Sequence, residues 1–229
     1  MGTAALTSLV SSAVARPAEN DCEVFSSAFW GQPANSVTSL AFVVAGVVIA
    51  VATRGPAQPR RLMYAFLVAA TGIGSFVFHG PAPSWSPIVH DAPLVALLAF
   101  VAADAVSDLL GRRLSDVWWV APAAVLIIVA GAVGSASTAV QGLAGVGAVS
   151  ATVIRAYARP SARRTILTAG VVVGAGALIG TLSRSGGPLC QPDSLLQGHA
   201  IWHVLAAVAL VLLTPVIGRV TAGRSAGLR

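Results

Sequence analysis

Apolar stretches of about 17 to 23 residues follow one another along almost the whole chain, and each is long enough to cross a hydrocarbon core of roughly 30 Å as a helix. They cover 35–52, 62–78, 88–106, 117–134, 138–157, 165–182 and 195–217. In lipid every backbone amide must find its partner within the spanning element, and the short alternating strands of a closed barrel are absent from this pattern. The expected fold class is therefore all-α: a polytopic membrane protein built as a bundle of seven transmembrane helices. Composition agrees, since 56% of the residues are hydrophobic and 10% charged, against about a quarter charged in soluble domains. One membrane domain, 1–229, is expected, with an outer N-terminal segment over 1–34, the bundle over 35–217 and a cytoplasmic tail over 218–229.

A net charge of +6 would raise the question of nucleic acid in a soluble chain. Here the basic residues, all arginine, sit in the gaps between apolar stretches and read as topology signals. Arg54, Arg60, Arg61, Arg112, Arg113, Arg155, Arg159, Arg163, Arg164, Arg219, Arg224 and Arg229 fall on one side, and Arg16 and Arg184 on the other. The positive-inside rule then places the N-terminus outside and the C-terminus in the cytoplasm. The segment 1–16 lacks the basic start and long apolar run of a secretory signal, so no cleavage is expected. The absence of lysine and the inside arginines fit a bacterial inner (cell) membrane. Glycines at 142, 145, 147, 170, 174, 176 and 180 offer small faces in the fifth and sixth stretches, and close packing within the chain is expected there in preference to a dimerisation face.

Ionisable groups in a membrane are costly, so the few present are functional candidates. His199 and His203 stand four apart, which puts both imidazoles on one helix face about 6 Å apart along the axis. His79 closes the second stretch and falls at the same outer depth by the arginine-based topology. Three histidines that leave a fourth position open form the arrangement of catalytic zinc. Asp91, opening the third stretch, is placed for general acid-base work, with ligand orientation as its alternative role. Ser75, one turn below His79, is placed to donate a hydrogen bond to an oxyanion. His90 points about 100° away from Asp91 on the helix and is left outside the metal shell. Asp104 and Asp108 lie near Arg112 and Arg113, which suggests an ion pair at the membrane boundary.

Cys22 and Cys190 are the only cysteines, so neither a four-cysteine zinc site nor a CxxC redox motif is available. Both fall on the outer side, where an oxidising compartment would allow a disulfide and two separate thiols are the alternative.

The chain resembles the alkaline ceramidase family, within the CREST superfamily of seven-helix membrane hydrolases and adiponectin-receptor-like proteins. The matching pieces are Asp21-Cys22-Glu23, Asn35-Ser36 with Ser39, Gly74-Ser75 through His79, Asp91-Ala92-Pro93, and Gly198-His199 through Trp202-His203. The resemblance covers roughly residues 20 to 215, and its middle helices match only as apolar spans. It implies zinc (Zn2+) held by His79, His199 and His203, with Asp91 and Ser75 assisting hydrolysis of the amide bond of ceramide, and it suggests a disulfide at Cys22 and Cys190. Animal members carry several acidic calcium ligands near the N-terminus. This chain keeps Glu23 but has Asn20, Phe25 and Gln32, which disfavours a calcium (Ca2+) ion.

The function expected is an intramembrane zinc-dependent hydrolase acting on a ceramide-like lipid drawn from the bilayer. A phospholipase-like esterase would use the same constellation, and a receptor or sensor with structural zinc is the reading from a different class. A transporter is disfavoured, because the polar groups cluster at one end and not near the midplane.

Overall fold

The computed structural model describes residues 20–133 and 136–221, and these form seven helices. They are α1 (Pro33–Ala52), α2 (Gln58–His79), α3 (Ser86–Leu109), α4 (Val117–Ala132), α5 (Ser137–Ala158), α6 (Pro160–Leu182) and α7 (Gly198–Leu213), the last running into a 3-10 turn, Thr214–Val216. Proline stands in the first turn of α1, α2, α3 and α6, where its missing N–H costs no helical hydrogen bond. The expectations for 1–16, Arg224, Arg229 and the end of the fourth stretch at Gly134 lie outside the described residues.

Six helices are long and apolar enough to cross a membrane, so the chain is an integral multi-pass membrane protein. α4 is apolar but has 16 residues, about 24 Å of helix against the roughly 20 residues of an ordinary span. Helix α7 begins at Gly198, later than the apolar pattern predicts, because Leu195 and Leu196 lie in the preceding loop, 92% and 80% exposed.

The helices are apolar on their outer faces as well as in the core. Val47, Phe66, Ile73, Ile128, Val146, Val171 and Leu178 are exposed, as expected where the solvent is hydrocarbon. The core is made by Phe42 and Ile49 of α1, Tyr64 and Val68 of α2, Phe100 of α3, and Ala206 and Leu213 of α7. Contacts run α1–α2–α3–α5–α6–α7 and back from α7 to α1, with α4 packed mainly on α3. That closure brings the ends of α2 and α7, remote in sequence, to the same place.

Close helix approach depends on particular glycines. A Cβ at Gly74 would lie 1.9 Å from the Val89 carbonyl oxygen, so α2 and α3 meet backbone to backbone just below Ser75. Gly176 and Gly180 of α6 fit against Leu205 and Trp202 of α7. The packing expected of Gly142, Gly145, Gly147, Gly170 and Gly174 is not found: a Cβ at each meets open space. Helices α5 and α6 pack on each other less than α5 does on α3 or α6 on α7, and these small faces have no neighbour within reach of a Cβ.

Asp104 and Asp108 also differ from expectation. Their partner is Arg155 of α5 and not Arg112 or Arg113: Arg155 Nε donates to Asp108 Oδ2 at 2.7 Å and Nη1 to Asp104 Oδ2 at 3.1 Å. The arginine is 2% exposed and also donates to the carbonyls of Val216 and Arg219. The Gly218 and Thr221 amides donate to the same two carboxylates. A helix crossing supplies the nearest cation here, and proximity in sequence does not. The network ties α3, α5 and the segment after α7 together at the end opposite the histidines.

Candidate metal centre

His79 is the last residue of α2, His199 the second of α7, and His203 lies one turn further along α7. Their rings stand 4.5 to 5.2 Å apart, centroid to centroid. One nitrogen from each lies within 4.8 Å of the other two, and this is the one such group of three metal-ligating side chains among the described residues. His79 and His203 are buried and His199 is partly exposed.

Hydrogen bonds fix which nitrogen is free on His79 and on His203. The Gln32 side-chain nitrogen donates to the Glu23 carbonyl at 2.7 Å, which fixes the amide so that its oxygen faces His79. His79 Nδ1 therefore carries the hydrogen and donates it to Gln32 Oε1 at 2.7 Å. The backbone returns the contact, as Gln32 N–H donates to the His79 carbonyl at 2.8 Å. His79 Nε2 is left buried with no hydrogen-bond partner, an arrangement that costs free energy unless something is bound there. At His203 the Thr38 hydroxyl, 3.2 Å from Nδ1, already donates to the Ala34 carbonyl. It can only accept from the ring, so Nδ1 again holds the hydrogen and Nε2 the lone pair. His199 Nδ1 lies 3.4 Å from Asp21 Oδ1.

His79 and His203 thus turn Nδ1 toward an oxygen at the start of α1 and keep Nε2 for the centre, the way protein ligands to zinc are usually held. The orphaned Nε2 and the all-imidazole donor set both fit a borderline-soft cation such as zinc.

Ser75 joins this cluster, with Oγ 3.4 Å from His203 Nε2 and 2.8 Å from Ser39 Oγ. Ser39 donates its own hydrogen to the Asn35 carbonyl, so Ser75 is the donor between the two serines. Asp91 lies to one side. Its carboxylate accepts from Ser137 and, at 2.8 Å, from Gln141 Nε2, both on α5, and pairs with His90 Nδ1 at 2.7 Å. Its link toward the trio is the His90 ring, 6.2 Å from that of His79.

No family model matches the chain, and no curated protein does so either.

Several site residues were not singled out as such by the sequence. Gln32, Thr38 and Ser39 hold the imidazoles, and the Asn35-Ser36 and Ser39 motif was the available signal for that helix. Asp21 lies beside Cys22, whose disulfide to Cys190, Cα atoms 5.4 Å apart, brings it over the trio. Burial in this position pushes the Asp21 carboxyl up to about 6, opposed by Arg184 and His90 and aided by Glu23. Glu23 itself accepts from the Ala34 and Asn35 amides at 2.7 and 2.9 Å, supplying the negative charge that the N-terminus of α1 favours.

Proposed function

We propose that the chain is an intramembrane zinc-dependent hydrolase of alkaline ceramidase type, cleaving the amide bond of ceramide or a similar N-acylated lipid. The observation that carries this reading is the convergence of His79, His199 and His203, with Nδ1 of His79 and of His203 engaged by hydrogen bonds and the buried Nε2 of His79 unpartnered. Zinc held by these three would supply Lewis-acid polarisation and water activation near neutral pH. Ser75, on the rim of the cluster, would turn its hydroxyl from Ser39 to the substrate carbonyl oxygen as negative charge develops there. Asp91 would accept a proton on the attacking side and return it to the leaving amine. To reach that position it must release Ser137 and Gln141. The sequence pattern assigns twelve of fourteen arginines to one side, and on that reading the histidine end faces the outside of a bacterial cell membrane, with the lipid substrate entering from the bilayer.

The engagement of Asp91 by α5 favours a second reading, a membrane receptor or sensor in which the same metal is structural. Incubation of the detergent-purified chain with N-acylsphingosine separates the two. The hydrolase reading expects equimolar fatty acid and sphingosine, at a rate lowered by about 10²–10⁴-fold in Asp91→Asn. An ester-linked lipid in parallel tests for a phospholipase-like enzyme. A metal-loaded protein that releases product from neither substrate would leave the receptor reading.

A further inference from the structure

The three imidazoles are held by supports of different kinds. Gln32 and Thr38 belong to the start of α1 and hold His79 and His203 through its first turns. His199 faces a residue outside the bundle: Asp21, from the segment that precedes α1. Asp21 Oδ1 lies 3.4 Å from His199 Nδ1 and Oδ2 lies 3.7 Å from His79 Nδ1. It is the one acidic side chain among the described residues that pairs with the trio.

Its placement is fixed on every side. Asp21 forms an isolated antiparallel bridge with Arg184, and the Ser185 hydroxyl donates to its carbonyl at 3.0 Å. The Ser185 amide donates to the Asn20 carbonyl at 3.1 Å. The next residue, Cys22, is buried and bonded to Cys190 across 168 positions of sequence. The carboxylate is 10% exposed, and an anion so enclosed is costly without a partner. Helix α7 has no acidic residue in its own first turn, so Asp21 also supplies the negative charge that this helix start favours.

We propose that Asp21 is a positioning residue of the metal centre, its carboxylate accepting the Nδ1 hydrogen of His199 so that Nε2 of that ring points at the ion beside the Nε2 of His79, whose Nδ1 hydrogen goes to Gln32. This rests on the reading of the trio as a metal site. A carboxylate behind a ligand histidine fixes the tautomer, raises the basicity of the ligating nitrogen, and offsets part of the charge of a dication bound by three neutral rings. The strap that carries Asp21 thereby becomes part of the site, delivered to it by the disulfide.

The test uses Co2+, whose visible absorption reports ligand geometry, on the full detergent-purified chain. Wild type, Asp21→Asn and Asp21→Glu are compared by spectrum and by chelator competition, with thermal midpoint and non-reducing gel mobility as controls for fold and disulfide. The proposal expects Asp21→Asn to bind Co2+ about 10–100-fold more weakly with a shifted absorption band. Asp21→Glu, which keeps the carboxylate, recovers part of the affinity even if the Asn variant is unstable. A wild-type spectrum and affinity in Asp21→Asn would overturn the proposal while leaving the metal reading intact. A wild type that binds no metal would overturn both.

Discussion

Gly74→Ala tests the packing that aligns the site, because its consequence can be worked from one distance. A Cβ at residue 74 would stand 1.9 Å from the Val89 carbonyl oxygen and 3.1 Å from the His90 Cα, whereas real Cβ contacts do not close below 3.0 Å. The first contact must therefore open by about 1.1 Å, and both opposing atoms are backbone, with no side chain able to swing aside. Overpacking of this kind costs typically 1–3 kcal/mol, which in a chain of this size lowers the thermal midpoint by roughly 2–12 °C. The shift falls between Ser75 and the α3 turn that carries His90 and Asp91, so metal occupancy should fall with stability. Gly147→Ala is the matched control, since its Cβ meets nothing and helix propensity favours alanine by up to about 1 kcal/mol. Thermal scans of both variants in detergent, with metal content measured on the same samples, provide the assay. A Gly74→Ala protein as stable and as metal-loaded as wild type would refute the reasoning.

Gln32→Leu, which removes the acceptor on His79 Nδ1, should weaken metal binding by about 10–100-fold, while Gln32→Glu keeps an acceptor and should lose less; chelator competition distinguishes them. Arg155→Met leaves Asp104 buried without its ion-pair partner and Asp108 with only the more distant Arg159, 3.7 Å away, and should destabilise the bundle by about 3–5 kcal/mol, read as the shift in a denaturant titration. Reduction of Cys22–Cys190 opens a 168-residue loop, for which chain entropy sets a ceiling of about 5 kcal/mol. The thermal midpoint should drop on adding reductant while helical circular dichroism at room temperature holds.

The helices were legible in the sequence because a membrane imposes one requirement on every span, an apolar run with internally satisfied amides, and 35–52 and 62–78 fall within the helices Pro33–Ala52 and Gln58–His79. Helix α4 shows the limit of that signal: its apolar run is long enough, but the helix stops at Ala132. The histidine trio was legible for a related reason. Two of its members share one helix face, and the arginine pattern places His79 at their depth without any knowledge of packing.

What stayed hidden depends on contacts between segments distant in sequence. Gln32 reads as a missing acidic ligand until the chain folds back and sets its amide against His79. Asp108 sits four residues from Arg112, yet the helix crossing gives it Arg155. The glycines of α5 and α6 carry the composition of a packed interface, and only the absence of a neighbour shows that five of them are open. Asp91 illustrates the same gap at the site itself. Its place at the start of α3 suggested a carboxylate near the metal, and its hydrogen bonds to Ser137 and Gln141 come from a helix whose packing partner the sequence does not state.

Metal content of the detergent-purified chain, wild type beside His79→Ala, His199→Ala and His203→Ala, tests the metal centre most directly. About one zinc per chain in wild type, lost in each variant while thermal scans show all of them folded, is the result the three-histidine site predicts. A well-folded wild type without bound zinc, or zinc retained in all three variants, would contradict it.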